Sequence, residues 1–183
     1  MGLTLITPAS GSPVSLAETK LLCRMEDGSA DAELGLLLPA AVSALGEWIG
    51  QPLGQEVWEL TLDAFSPAIE LPKGPVSGSV TVRYVDPAGA TLAADPAIYS
   101  VDLVSKPKWV VLNQVRSWPA VMDAVNVVRI EFTAGYSALT LPAPIKLAVA
   151  ALVKHWFENG AEAGLPAGVT ELCSPWRSLW IWA

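Results

Sequence analysis

One histidine, His155, is the whole imidazole content of this 183-residue chain, so a Ser-His-Asp or Cys-His arrangement would have a single base to draw on. His155 sits between Lys154 and Trp156 in a helical pattern, the setting of a helix-surface or subunit-contact residue. Cysteine is nearly as scarce. Cys23 and Cys173 have no C-x-x-C spacing and no histidine cluster to complete a zinc site, and both fall in predicted helices as small buried hydrophobes. The plain reading is a reduced, cytoplasmic chain without metal or other cofactor. Charged residues make up only 16%, with 11 basic against 18 acidic side chains. A net charge of -7 opposes attraction to a phosphate backbone, yet it would let a duplex slide past without sticking. No G-x-S-x-G elbow, Walker A loop, G-x-G-x-x-G turn or H-E-x-x-H helix occurs. Gly74 to Gly78 is glycine-rich but lacks the lysine and spacing of a phosphate cradle. Residues 1–10 lack the basic and apolar regions of a signal peptide, and no apolar run reaches about 18 residues, which argues against secretion by that route and against a membrane span.

What the chain does have is hydrophobic content, 52%, and eight tryptophans. That supply and length predict a single unit, residues 1–183, with one well-filled core. Ser15-Leu16-Ala17-Glu18 is a capping box opening a short helix over about residues 15–25. Leu34, Leu37, Leu38, Ala41, Leu45, Trp48 and Ile49 then recur at helical steps, interrupted by Pro39, which predicts a kink or two shorter helices. From Gln55 the period becomes two. Trp58, Leu60 and Leu62 alternate with Glu59, Thr61 and Asp63; Val80, Val82 and Tyr84 alternate with Thr81 and Arg83; Val128, Ile130 and Phe132 alternate with Arg129, Glu131 and Thr133. Further strands are predicted at about 98–103 and 109–112, and Asp86-Pro87-Ala88-Gly89 supplies a hairpin turn. Helical spacing returns after Pro142 and Pro144 with Ile145, Val149, Leu152, Val153 and Trp156, stopping at Asn159-Gly160, and a short helix follows near 169–173. The fold class is α+β: terminal helices, about 14–52 and 142–176, packed as a small bundle, with an inserted antiparallel β lobe at about 55–136 and a tail at 177–183.

Candidate chemistry is thin. Asp63, Asp86, Asp95, Asp102 and Asp123 lie in the β region, where a carboxylate pair is conceivable in principle, but acids so placed usually mark turns and solvated strand faces. A sugar-binding module, suggested by tryptophans on a β-rich middle, requires an exposed coplanar row such as Trp109 with Trp118. Trp48, Trp58 and Trp156 fall on apolar faces instead.

The ordered segments resemble a family. Pro13-Val14-Ser15-Leu16-Ala17-Glu18-Thr19-Lys20, then Gln55 to Asp63, Ile69-Glu70-Leu71-Pro72 with Pro75-Val76, and Tyr84 before Asp86 and Gly89 come first. Tyr99-Ser100-Val101-Asp102, Trp118-Pro119, Phe132-Thr133-Ala134-Gly135-Tyr136, His155 to Asn159, and Pro166 to Arg177 follow. In this order they resemble the head-to-tail connector, or adaptor, proteins of tailed phages and gene transfer agents. The resemblance implies a structural virion protein at the head-tail interface, assembled in the bacterial host cytoplasm and not an enzyme. It implies three partners: the portal protein, neighbouring copies in a cyclic ring that is dodecameric when assembled, and a stopper or tail protein. DNA would pass through without specific binding. A stopper or tail-completion ring protein is the neighbouring alternative.

Ring closure from one subunit requires two different complementary faces. The polar sides of the two long helices are candidates. The tail offers a candidate portal-binding set, Trp176, Leu179, Trp180, Ile181 and Trp182, large apolar area that requires a cover. It either folds back on its own core or extends to add a strand, with tryptophan anchors, to a portal surface.

Overall fold

The computed structural model describes residues 1–25 and 28–178. Among the described residues the α-helices and strands follow in the order β1 Gly2–Thr7, α1 Leu16–Cys23, α2 Asp31–Ile49, β2 Glu56–Leu62, β3 Ala68–Leu71, β4 Val76–Val85, β5 Thr91–Ala93, β6 Tyr99–Asp102, β7 Lys108–Leu112, β8 Val128–Ala134, α3 Ala143–Asn159 and α4 Ala167–Cys173. They form two compact units, one of Met1–Pro8 with Glu56–Gly135 and one of Ala9–Gln55 with Tyr136–Ala183. The architecture is α+β, with helices from both ends of the chain packed together and an antiparallel β lobe inserted between them. The length argument for one core is corrected here, because the apolar interior is divided into two clusters.

In the β unit a five-stranded sheet has the order β1-β2-β8-β4-β5, and a three-stranded sheet has the order β3-β7-β6, every pairing antiparallel. The alternation in β8 decides the arrangement. Val128, Ile130, Phe132 and Ala134 are buried, opposite Leu62, Leu60, Trp58 and Glu56 of β2. Across the other edge Phe132, Ile130 and Val128 face Val80, Val82 and Tyr84 of β4. Ile69, Leu71, Tyr99 and Val110 of the smaller sheet belong to the same apolar cluster, and the Tyr99 hydroxyl donates to the Val80 carbonyl at 3.3 Å. Complete burial of a side chain such as Phe132 stabilises by roughly 2–3 kcal/mol. The predicted hairpin turn is present: Gly89 has φ 87°, its N–H donates to the Asp86 carbonyl, and the Asp86 carboxylate accepts from the N–H groups of Ala88 and Ala90. β1 was not anticipated, although Leu3, Thr4 and Leu5 carry the period of two.

The helical unit packs α2 against α3. Leu34, Leu38, Ala41, Leu45 and Ile49 meet Ile145, Val149, Leu152, Val153 and Trp156, with Val169 and Cys173 of α4. α2 is long and apolar enough by length and composition to cross a bilayer, but that inward stripe is what a core helix requires. Pro39 does not divide it; α2 is one helix of 19 residues. The carbonyl that loses a donor belongs to Gly35, and both residues are exposed, so the missing bond falls on the solvent side of the helix.

The capping box of α1 is complete. Ser15 Oγ accepts from the Glu18 N–H at 3.1 Å, and a Glu18 carboxylate oxygen accepts from the Ser15 N–H at 2.8 Å. Glu18 also pairs with Lys146 of α3 at 3.2 Å, and Lys20 pairs with Asp31 of α2 at 2.6 Å, so α1 is tied to both long helices. The Ser15 N–H, then the Ser15 hydroxyl and Lys146, hold the Glu18 carboxyl at about 2 instead of the usual 4.5. The folded chain therefore binds this proton more weakly than the unfolded chain does. The stabilisation is fully present above pH 4.5 and is lost as pH falls toward about 2. Ser15→Ala is expected to cost about 1 kcal/mol. Glu18→Gln is expected to flatten stability against pH across the same acid window, as read by urea melts at stepped pH; a profile identical to that of the parent would refute the assignment.

Candidate assembly surfaces

The side chains that could have carried chemistry are occupied structurally. His155 is half-buried on α3, next to the Asn159 side-chain amide at 3.3 Å. Both cysteines are buried. The Cys23 thiol donates to the Ala150 carbonyl at 3.4 Å, and burial pushes its pKa up, while burial pushes that of Cys173 to about 11. Reactive thiolates need the opposite environment. Of the acids singled out in the β region, Asp63 accepts from the Asn126 N–H at 2.8 Å, Asp86 closes the hairpin turn, and Asp95 accepts from the Ala97 N–H at 2.9 Å. Asp102 is held at about 2 by the Ser105 hydroxyl, then by the Ser105 and Val104 N–H groups. Asp86, Asp95 and Asp102 are turn-forming carboxylates, whereas Asp63 ties the end of β2 to the segment before β8. Among the described residues no group of three His, Cys, Asp or Glu side chains could hold a metal ion.

The tryptophans are similarly committed. Trp118 stacks on Phe65, centroids 4.3 Å apart and planes 2° apart, and its indole N–H donates to the Ser66 carbonyl at 2.9 Å. The Trp58 indole N–H donates to Glu56 at 3.1 Å, and the Lys73 ammonium lies 5.4 Å from its ring centre. Trp156 is buried and donates to the Gly164 carbonyl at 2.9 Å. Trp118, one of the two rings that a sugar-binding platform would use, is instead stacked against Phe65 and Tyr99.

Of the candidate tail residues, only Trp176 is among the described ones; Leu179, Trp180, Ile181 and Trp182 lie outside them. Trp176 is half-buried against the helical core. The next two residues are seated at the foot of α2. The Arg177 guanidinium lies 4.7 Å over the Trp48 ring, and the Ser178 N–H donates to the Ile49 carbonyl at 2.7 Å, satisfying one of the helix's terminal acceptors. Gly50 makes the approach possible: it turns at φ 79°, and a Cβ there would meet the Ser178 carbonyl oxygen.

The outward side of α2 is not the polar face that was anticipated. Between Glu33 and Glu47 its exposed residues are Gly35, Leu36, Pro39, Ala40 and Ser43, with Leu36 76% exposed. The five-stranded sheet carries charge instead. One row across its outer face reads Ala93, Arg83, Arg129, Thr61, Gly2, and the next reads Thr81, Glu131, Glu59, Thr4. Thus Arg83 opposes Arg129, and Glu59 opposes Glu131, arrangements that are destabilising across a ladder. No ion pair among the described residues relieves them. The alternation of each strand was legible in the sequence, whereas this juxtaposition depends on register.

Two small units whose carboxylates close turns and whose aromatic rings fill cores have the make-up of a structural subunit. Comparison with solved structures agrees. The chain is similar along 100% of its length, and 98% of the other chain's, to a chain in the neck of an empty gene transfer agent particle computed with C6 symmetry, at 26% identity and TM-score 0.77. It is similar over the same shares to a chain in the virion of a native gene transfer agent particle, at 27% identity and TM-score 0.77. A third likeness is to a chain in the neck of a native particle computed with C12 symmetry, at 26% identity and TM-score 0.74. No protein-family model and no curated protein matches the sequence. The likeness to gene transfer agent necks extends through the whole fold, and with it stands the resemblance to head-to-tail connector and adaptor proteins.

Gly50→Ala forces a left-handed side chain against the Ser178 carbonyl and is expected to cost about 2 kcal/mol, lowering the melting temperature by roughly 4–8 °C. Gly89→Ala, at φ 87° with nothing near its Cβ, provides the control for backbone strain alone. Equal losses in calorimetry would mean that the Ser178 contact contributes nothing.

Proposed function

We propose that the chain is a structural virion neck protein that acts as a head-to-tail connector, or adaptor. Copies form a ring on the portal at the head-tail interface, extend the DNA channel toward the tail, and receive a stopper or tail protein on the far side. The observation that carries this reading is the end-to-end likeness to gene transfer agent neck chains, over 100% of this chain, in particles computed with cyclic symmetry. The role is mechanical, and the residues suit it. A net charge of -7 lets a polyanion pass without adhering, and Asp63, Asp86 and both cysteines are engaged in hydrogen bonds or buried in cores. Assembly takes place in the bacterial host cytoplasm, and the finished subunit resides in the virion.

The portal contact is assigned to the tail. Trp176 lies on its own core and Ser178 is bonded to the end of α2, so we assign the anchor to the residues that follow, with Leu179, Trp180, Ile181 and Trp182 as its apolar groups. Trp176 and Arg177 hold the chain at the helical core just before those residues.

Deleting residues 179–183 is expected to leave the melting temperature of the isolated protein unchanged while abolishing heads joined to tails in particles. A large loss of stability would instead make these residues part of the fold. Electron microscopy of the full chain mixed with its portal is expected to show a ring on the portal with the portal's symmetry; portal particles that stay bare at saturating protein would overturn the adaptor reading.

A further inference from the structure

The five-stranded sheet has two open edges, β1 and β5, and natural sheets commonly guard such edges with charge or proline. Neither guard is present in these strands. Gly-Leu-Thr-Leu-Ile-Thr and Thr-Leu-Ala contain no charged residue and no proline. Register places their side chains on matching faces. Leu3 and Leu5 oppose Leu60 and Trp58, while Leu92 opposes Tyr84, so all three leucines lie on the core side. Leu5 is 41% exposed and Leu92 42%, each half-covered where the sheet stops. On the outer side the same edges present small uncharged groups, Gly2 and Thr4 on β1 and Thr91 and Ala93 on β5.

We infer that β1 of one copy pairs with β5 of the next, so that the sheet continues head to tail from subunit to subunit and Leu5 of one copy covers Leu92 of its neighbour. This seam rests on the ring reading above. It provides the two different faces that cyclic closure requires, at opposite edges of one sheet. Charge supports the same pairing. The arginine pair, Arg83 with Arg129, lies toward the β5 side, and the carboxylate pair, Glu59 with Glu131, lies toward the β1 side. A head-to-tail seam brings the acidic side of one copy toward the basic side of the next, which steers association in that sense. Pairing β1 with β1 would bring two acidic sides together, and pairing β5 with β5 two basic ones, so the unpaired like charges disfavour both closed dimers.

Strand direction adds a geometric consequence. With five strands and every pairing antiparallel, β1 and β5 run the same way, so a rotation that keeps each strand's sense about the ring axis makes the seam parallel. Only the three residues of β5 are available to it. A short parallel seam is weak, which suits copies that stay separate until a template gathers them.

The test is disulfide trapping in the full chain, with Leu5→Cys and Leu92→Cys introduced singly and together; the native thiols are buried and do not compete. In neck assemblies judged by electron microscopy, the double variant is expected to give a ladder of covalent multimers on mild oxidation. Mixed single variants are expected to give heterodimers only, and neither single variant any covalent dimer. Leu92→Lys, which would bury a charge in the seam, is expected to reduce ring formation about tenfold or more without changing the melting temperature. Rings that form without the ladder, or that tolerate Leu92→Lys, would overturn the seam and leave the ring reading intact. Failure of the parent chain to form any ring on its portal would overturn that reading and the seam with it.

Discussion

The strand β8 must bury one face while pairing along both edges, and the β unit depends on that constraint. Its inward residues are fixed by the core they share with β2, β4 and the smaller sheet. Once Ile130 meets Leu60 and Val82, Glu131 has to meet Glu59 and Arg129 has to meet Arg83. A slip of one residue would relieve the like charges, but it would turn every apolar side chain of the strand outward. The burial of several large side chains outweighs the repulsion of exposed charges, which water and salt screen. The outer face therefore has an electrostatic pattern imposed by packing, and such a pattern is available for recognition because no partner within the described part of the chain consumes it.

The helical unit follows a similar logic through caps and ends. Its stability comes from apolar stripes on α2 and α3, while its precision comes from a few polar contacts at the termini: the capping box of α1, the Lys20 and Lys146 ion pairs, and the seat of Ser178 on Ile49. Surface ion pairs contribute little energy individually. Their value here is in fixing where α1 and the chain up to Ser178 lie against their neighbours. A subunit that works by shape has to hold its contact points at defined positions.

Those contact points divide the work of a connector. In the proposed connector, the residues after Ser178 would serve a portal, the two edges of the larger sheet would serve neighbouring copies, and the acidity of the whole would serve a passing polyanion. His155, Asp86 and Asp95 are held by local hydrogen bonds, and Asp63 by the backbone of Asn126 far along the chain.

Local pattern in the sequence was sufficient for the capping box at Ser15, the proline start and glycine stop of α3, the Asp86 turn and the alternation of β2, β4 and β8, because each is a matter of neighbouring residues and backbone period. The resemblance of ordered segments carried the class of protein as well. Local pattern left Pro39 as either a kink or a break, and the break is excluded by α2 being one helix, since the cost of a missing donor depends on whether the freed carbonyl faces water; it passed over β1, a short strand held by pairing with a partner far along the chain. The division of the core, the opposition of Arg83 to Arg129 and of Glu59 to Glu131, and the seating of Ser178 at Gly50 were decided only by tertiary structure. Each depends on which distant segments bury their apolar faces together, and the register between distant segments is set by the energy of that shared burial, not by the sequence of either one alone.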